Sequence, residues 1–469
     1  MRDYIQFYLN GKLQRVSGEM VSSTLSDYLR YQKGLRGTKV VCAEGDCGAC
    51  TVMVGDSDNK MNYRSINSCI AMMALMDGKH IVTVEGLSLD GEPHEIQKAM
   101  VDNNGAQCGY CTPGFVMSLT DLYEQKTNVT EKNCRNFLTG NLCRCTGYGS
   151  IIDAALSVDP KKAKTLGALY SELRMEKTDD AIEIKTPEFE FYCPNNLKDA
   201  VELKEKYPDL RIISSATDLG VQINKDRFEP HRLIFLDKVP ETHLLEVNDN
   251  EVKIGARVHL SLIEKAYEGI EDEFSNFLNL FASPQIKNFG TLIGNVANAS
   301  PIGDTLPFLS VMNAKVTLVS TKGEREVLFK DFYLGYKKLN MLPEEMILSI
   351  TIPRRAKNEI LKLYKVSRRK DLDISCVNAA MKMTVTNGKI DSFSVAYGGV
   401  GPTVLRLPVL EKKMIGLGFN ADNFRAQSHQ IKNEITPMSD VRGSSEYRHL
   451  VAKNLFQRFF LEASKEVAQ

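Results

Sequence analysis

A chain of 469 residues has room for roughly three domains of about 150 residues each, and 43% apolar residues can supply their cores. Lysine plus arginine equals aspartate plus glutamate at 59 each, so no net field draws nucleic acid or an anionic membrane. No run of about 18 apolar residues occurs, which excludes a spanning helix.

The first residues, MRDYIQFYLNGKLQRV, read as strand and turn rather than as a charged-then-apolar leader, so the expected compartment is the cytoplasm. Ile5, Phe7 and Leu9 alternate before Asn10-Gly11, and Leu13 follows, which predicts a β-hairpin over 3–16. Thr24 to Gln32 reads as a short helix with Leu25, Tyr28 and Leu29 on one face. Then comes VVCAEGDCGACTV, which with a later NSC supplies Cys42, Cys47, Cys50 and Cys69. The C-x4-C-x2-C…C pattern is the plant-type spacing for a 2Fe–2S cluster. Gly45, Gly48 and Ala49 keep the loop small, so backbone N–H groups can approach the sulfurs. A strand at TVMV, a helix around 70–76 and a strand at HIVTVEGL complete a ferredoxin-like β-grasp domain over 1–89.

From about 95 to 158 the apolar period turns helical. Thr112-Pro113 is a helix start, with threonine as cap and proline in the first turn; Phe115, Leu119, Leu122 and Tyr123 follow on one face. Cys108 and Cys111 precede that helix, and Cys143 and Cys145 precede another near 150–156. Helix N-termini favour an anionic, thiolate-held centre. On spacing alone this second quartet admits a 2Fe–2S cluster or a structural zinc ion, although C-x-C is uncommon in zinc knuckles. A disulfide framework suits short secreted domains and not this chain. Two clusters in one segment imply a wire for single electrons.

Residues 161–185 are charged and read as a linker. Strand-like segments then return at RLIFLD, EVKIGA, KVTLVS and MILSITIP, and the last part, from about 359, mixes strands with a helix near the end. Two loops, Ile212–Gly220 and Asn288–Asp304, crowd small and hydroxyl residues. Such loops serve either as tight turns or as phosphate cradles, and neither matches a P-loop or a G-x-G-x-x-G fingerprint.

The two cysteine quartets, QCGYCTPG and LCRCTG among them, followed by GTLIGN and ASPIGD, resemble the iron–sulfur and flavin portions of the xanthine dehydrogenase family, the molybdenum hydroxylases. The resemblance covers nearly the whole chain. It implies an α+β multidomain fold: a β-grasp 2Fe–2S domain (1–89), a helical-bundle 2Fe–2S domain (90–160), a PCMH-type FAD-binding domain (186–356) and a C-terminal domain like that of the CO dehydrogenase flavoprotein (357–469). It implies clusters on both quartets. It further implies FAD near Ile212, Ile213, Ser214, Ser215, Ala216, Thr217, Asp218 and Leu219, with Phe281, Thr291, Gly294, Asn295, Asp304 and Lys365 completing the site. Glu44 matches a position that faces the flavin, and Gln107 one that faces the molybdopterin. Ser367–Ser375 resembles a segment that passes near the flavin; its charges read equally as a solvated loop.

Two departures stand out. Ser215 and Ile293 replace family glycines, and either is strained if its position needs a positive φ. Cys134, Cys193 and Cys376 match no ligand position and read as buried thiols. No side chain here is expected to do acid–base chemistry.

Relatives that are single polypeptides continue into a molybdopterin-binding region, so the expected partner is a large separate subunit, in a dimer of heteromers. The implied role is passing electrons from hypoxanthine or xanthine oxidation through two 2Fe–2S clusters to FAD and on to NAD+. Rival readings keep that role with an aldehyde, nicotinate or other N-heterocycle as substrate, or replace it with a zinc scaffold or a stand-alone NADH-dependent reductase.

Overall fold

The computed structural model describes residues 1–56, 62–88, 91–125, 128–176, 179–370 and 372–467. The boundary expected at Leu89, residues 177–178 of the expected linker and Asp371 of the charged segment lie outside the described residues. The chain divides into two compact units, each with its own cores. The first comprises Met1–Ala200, Asp209–Pro240 and Ser283–Gly290; the second comprises Val201–Pro208, Glu241–Ala282 and Thr291–Gln469.

In the first unit, β1 (Tyr4–Leu9) and β2 (Lys12–Ser17) form the expected hairpin, paired from Tyr4↔Ser17 to Leu9↔Lys12. Asn10 and Gly11 both take positive φ, the backbone a tight two-residue hairpin turn demands. With β3 (Thr51–Asp56), β4 (Tyr63–Asn67) and β5 (Lys79–Val82) they make a sheet of order β2-β1-β5-β3-β4, in which β1 and β5 run parallel. The alternation read in β1 understates its burial, since Gln6 and Tyr8 are also covered. Gln6 is satisfied there by hydrogen bonds with Glu176 and Arg15. The helix expected around 70–76 shrinks to one turn at Met73–Met76, and HIVTVEGL is strand only as far as Val82, turning helical at Val84–Leu87.

The helical segment holds α1 (Glu95–Asp102), α2 (Thr112–Glu124), α3 (Glu131–Phe137) and α4 (Gly149–Ser157). Pro113 sits in the first turn of α2 as expected, but Cys111 occupies the cap position and Thr112 is already helical. The hydroxyl of Thr112 is buried without a hydrogen-bond partner. Phe115, Leu119 and Leu122 are fully covered and pack with Ile151, Ala154 and Leu138. Within 161–185 there is a short helix at Leu166–Leu169, and the Tyr170 hydroxyl donates to the Gly86 carbonyl at 2.7 Å.

A four-stranded sheet of β6 (Ile182–Lys185), β7 (Glu190–Cys193), β8 (Arg211–Ile213) and β9 (Arg232–Phe235), in the order β6-β7-β9-β8, completes this unit. Parallel pairing of β8 with β9 leaves the C-terminal end of β8 feeding α5 (Leu219–Asn224). That strand-to-helix turn is Ser214–Asp218.

Beside a small two-stranded ribbon (Tyr333–Gly335 with Lys338–Leu339), the second unit has two larger antiparallel sheets among the described residues. One runs β10 (Leu245–Val247), β11 (Glu251–Gly255), β14 (Met346–Pro353), β12 (Lys315–Ser320), β13 (Gly323–Leu328). The other runs β15 (Glu359–Val366), β16 (Val377–Thr386), β17 (Lys389–Gly398), β18 (Leu405–Arg406). Around them lie α6 (Leu260–Tyr267), α7 (Asp272–Leu280), α8 (Leu292–Asn298), α9 (Leu306–Val311) and the long α10 (Ser445–Val467). Four expected strands, RLIFLD, EVKIGA, KVTLVS and MILSITIP, appear within a residue or two of their sequence limits.

Candidate iron–sulfur and flavin sites

The loop between the hairpin region and β3 carries Cys42, Cys47 and Cys50, and the chain after β4 brings Cys69 to them. Cys42 is hydrogen-bonded to the Cys47 and Cys69 thiols, which draws its pKa below that of an ordinary thiol. Cys69, shared between Cys42 and Cys50, is pushed up. The loop can bend this tightly because Gly45 and Gly48 have φ of +74° and +67°. A methyl group on Gly48 would also lie 2.3 Å from the Gly140 carbonyl, so only glycine fits. Ala43 takes the left-handed conformation as well, at φ 55°. Backbone N–H of Glu44 reaches the Cys42 sulfur at 3.4 Å.

The second four thiols assemble as two pairs. Cys145 and Cys108 sulfurs are 3.6 Å apart, both exposed. Cys111 contacts Cys143, and burial with that contact pushes the Cys111 thiol up to about 12. Thr146 donates to the Cys143 sulfur from its hydroxyl at 3.1 Å and from its backbone at 3.5 Å. Thiols that meet two by two suit a centre in which each of two irons takes two thiolates. Gln107, beside Cys108, is exposed. Cys134, Cys193 and Cys376 are buried, as expected.

The two sets are tied to each other through one short stretch of chain. Leu142 N–H donates to the Cys47 carbonyl at 3.0 Å, and the Asn141 amide reaches the Gly48 carbonyl at 3.3 Å. Asn141 is held in turn by Ser118 (2.7 Å) and Gln285 (2.9 Å). Next to this, Asp121 is fully buried and accepts from Ser65, Gln125 and Asn288; burial raises its pKa.

Residues expected around FAD fall in both units. In the first, Ser215 is buried and its hydroxyl lies 3.4 Å from that of Thr217. The left-handed residue of this turn is Ala216 (φ 61°) and not Ser215, so the serine departure carries no backbone strain. Asn224, at the end of α5, donates to the Ala43 and Cys69 carbonyls at 2.9 and 2.7 Å. Lys225 pairs with Glu44. The Ile212–Leu219 turn and the first thiol loop thus share one frame.

In the second unit, Thr291 caps α8 by accepting from Gly294 N–H at 3.0 Å, and Asn295 accepts from the Thr305 hydroxyl at 2.7 Å. Ile293 is buried inside the helix without a positive φ, so this departure is unstrained too. Phe281 ends α7 and packs on the core of the unit. Asp304 and Lys365 form a buried ion pair, with side-chain exposures of 6% and 2%. Ser375 donates to Asp304 at 2.5 Å, and Asn378 donates to it at 2.7 Å. The charged segment 367–375 therefore divides: Arg368, Arg369 and Lys370 are exposed, while Ser375 is fully buried at the carboxylate.

Sequence reading missed Asn378, Asn224, Asn141, Gln285 and Thr146. Their partners lie on other elements or carry no spacing signal, apart from Thr146 in CRCTG.

Comparison with known proteins agrees. The chain matches the family models described as a 2Fe-2S iron-sulfur cluster binding domain (7–74), a [2Fe-2S] binding domain (83–156), an FAD binding domain in molybdopterin dehydrogenase (187–355) and a CO dehydrogenase flavoprotein C-terminal domain (362–463). Xanthine dehydrogenase 1 of Arabidopsis thaliana is 31% identical over 98% of the chain, and the match covers 40% of that relative. The chain thus spans about two fifths of the length of the curated relatives it matches. Among solved structures, carbon monoxide dehydrogenase from Hydrogenophaga pseudoflava superposes with a TM-score of 0.55 at 23% identity, over 59% of this chain and 96% of that one. Quinoline 2-oxidoreductase from Pseudomonas putida 86 gives 0.55 at 22% identity, over 60% and 99%. Two thiol sets in cluster-binding domains, followed by an FAD-binding domain, make this chain a member of the molybdenum hydroxylase family, of which it carries the iron–sulfur and flavin part.

Proposed function

We propose that the chain is the electron-transfer part of a xanthine dehydrogenase, working between a large molybdopterin-bearing partner that oxidises hypoxanthine or xanthine and the acceptor NAD+, in the cytoplasm, within a dimer of heteromers. The names of the relatives support the substrate. One observation carries the electron-transfer role: both thiol sets and the Ile212–Leu219 turn belong to one compact unit, joined by the Leu142 to Cys47 and Asn224 to Cys69 hydrogen bonds.

Cys42, Cys47, Cys50 and Cys69 would hold one 2Fe–2S cluster, and Cys108, Cys111, Cys143 and Cys145 the other. Bound clusters supply one-electron carriers and FAD a carrier that handles one or two electrons, which is what reduction of a nicotinamide requires. The chain's own residues orient and insulate. Gly45 and Gly48 let backbone N–H groups approach the first thiols. Asn141 and Leu142 hold the second thiol loop against the first. Thr217, Asp218, Phe281, Thr291, Gly294, Asn295, Asp304 and Lys365 are proposed for FAD, with Glu44 near the first thiols and Gln107 facing the partner. The boundaries at 89, 160, 185 and 356 belong to the same proposal.

Iron, zinc and flavin counted on one purified sample, with its visible spectrum before and after dithionite, test the role. The expected result is about four irons and one FAD per chain. Zinc in place of two irons, or iron without flavin, overturns it. With the partner present, xanthine-dependent NADH formation supports the substrate; turnover of aldehydes or nicotinate alone replaces it.

A further inference from the structure

We propose that the Thr146 hydroxyl sets the reduction potential of the centre held by Cys108, Cys111, Cys143 and Cys145, by hydrogen bonding to the Cys143 sulfur. This rests on the cluster reading above. Cys143 is 7% exposed, whereas Cys108 and Cys145 lie open to solvent. At the buried Cys143 a fixed protein donor meets the sulfur, and a donor on a ligand sulfur stabilises the reduced, more negative centre and raises its potential.

The hydroxyl is aimed. Its oxygen accepts from Tyr148 N–H at 3.2 Å, which leaves its proton for the sulfur 3.1 Å away. Tyr148 is held in turn, because its own hydroxyl accepts from Cys143 N–H at 3.0 Å and donates to the Asn141 carbonyl at 3.2 Å. Its ring packs edge-on against Phe115 at 5.9 Å. Tyr148 has φ 71°, a strained conformation for a bulky side chain. Such strain persists only where the surroundings over-determine it, and here they close a ring of hydrogen bonds around one sulfur. The first thiol set receives a backbone N–H at 3.4 Å on Cys42 and an amide at 3.9 Å on Cys50. Cys143 likewise takes a backbone N–H, from Thr146 at 3.5 Å, and the hydroxyl is its additional donor. Thr146 is thus a positioning and tuning residue, with no contact to substrate required.

The test is EPR-monitored potentiometry of the intact holoenzyme, comparing wild type with Thr146→Val and Thr146→Ser, with iron counted on each. Thr146→Val is expected to lower the midpoint of the second centre, with a several-fold smaller reduced fraction at fixed potential, and to leave the first centre unmoved. Thr146→Ser, which keeps the hydroxyl, is expected to restore the wild-type midpoint. Unchanged midpoints in Thr146→Val, or a serine variant that behaves like valine, overturn the assignment. If valine loses iron, Thr146→Ala removes the same donor without added bulk, and loss of the second centre there too refutes a role limited to potential. A wild-type enzyme showing one cluster signal refutes the two-cluster reading itself, a result distinct from two signals with an unmoved midpoint.

Discussion

At the scale of single residues, the Asp304 to Lys365 pair shows what a buried charge needs. The carboxylate gains Lys365, Ser375 and Asn378, so its desolvation is offset on three sides. Breaking the pair from one side leaves an uncompensated charge. Lys365→Met is expected to destabilise the second unit by about 3 kcal/mol. The double variant Lys365→Met/Asp304→Asn is expected to lose clearly less, and urea unfolding midpoints of the two variants decide. Asp304 and Lys365 were both legible as candidates through the family resemblance. Asn378 was not, because it sits inside a strand where an asparagine carries no motif.

At the scale of elements, the first thiol loop is shaped by what packs behind it. Asn224 closes α5 and caps two carbonyls of that loop, at Ala43 and Cys69. Asn224→Ala removes both bonds, and each lost bond costs about 1 kcal/mol. The expected outcome is a lower unfolding midpoint together with faster iron loss from the first centre on exposure to chelator. Iron retention equal to wild type would show that the loop keeps its shape unaided. The hairpin and the long strands were readable because Asn-Gly and runs such as MILSITIP are local signals. The start of α2 was misplaced by one residue, since Cys111 takes the cap that Thr112 was expected to supply.

For the whole molecule, pH acts through a buried imidazole. His80 is fully covered, accepts from Gly11 N–H at 3.0 Å and meets the Tyr63 hydroxyl at 2.5 Å. Burial lowers its pKa from 6.5 to about 4. The unfolded chain therefore takes up this proton near pH 6.5, and the folded chain resists until about pH 4. The stability it contributes is complete above pH 6.5 and is lost as pH falls to 4, by about 3 kcal/mol. Urea unfolding between pH 7.5 and 4.5 is expected to show this fall, and His80→Gln a flatter one; equal slopes would refute it. Among the described residues no helix is long and apolar enough to cross a membrane.

What the sequence determined by itself is the local frame: four thiols at plant-type cluster spacing, four more whose spacing admits cluster or zinc, small residues in the first thiol loop, a hairpin with its turn, and three strands of the five-stranded sheet of the second unit. These follow from side-chain type and near-neighbour period. Only the tertiary structure decided which groups meet over long separations. It paired Cys111 with Cys143, set Leu142 on the Cys47 carbonyl, and put the left-handed residue of the Ile212–Leu219 turn at Ala216, leaving Ser215 unstrained. Contacts of that kind depend on how separate elements pack and on which buried polar groups find partners, and neither is encoded in spacing along the chain.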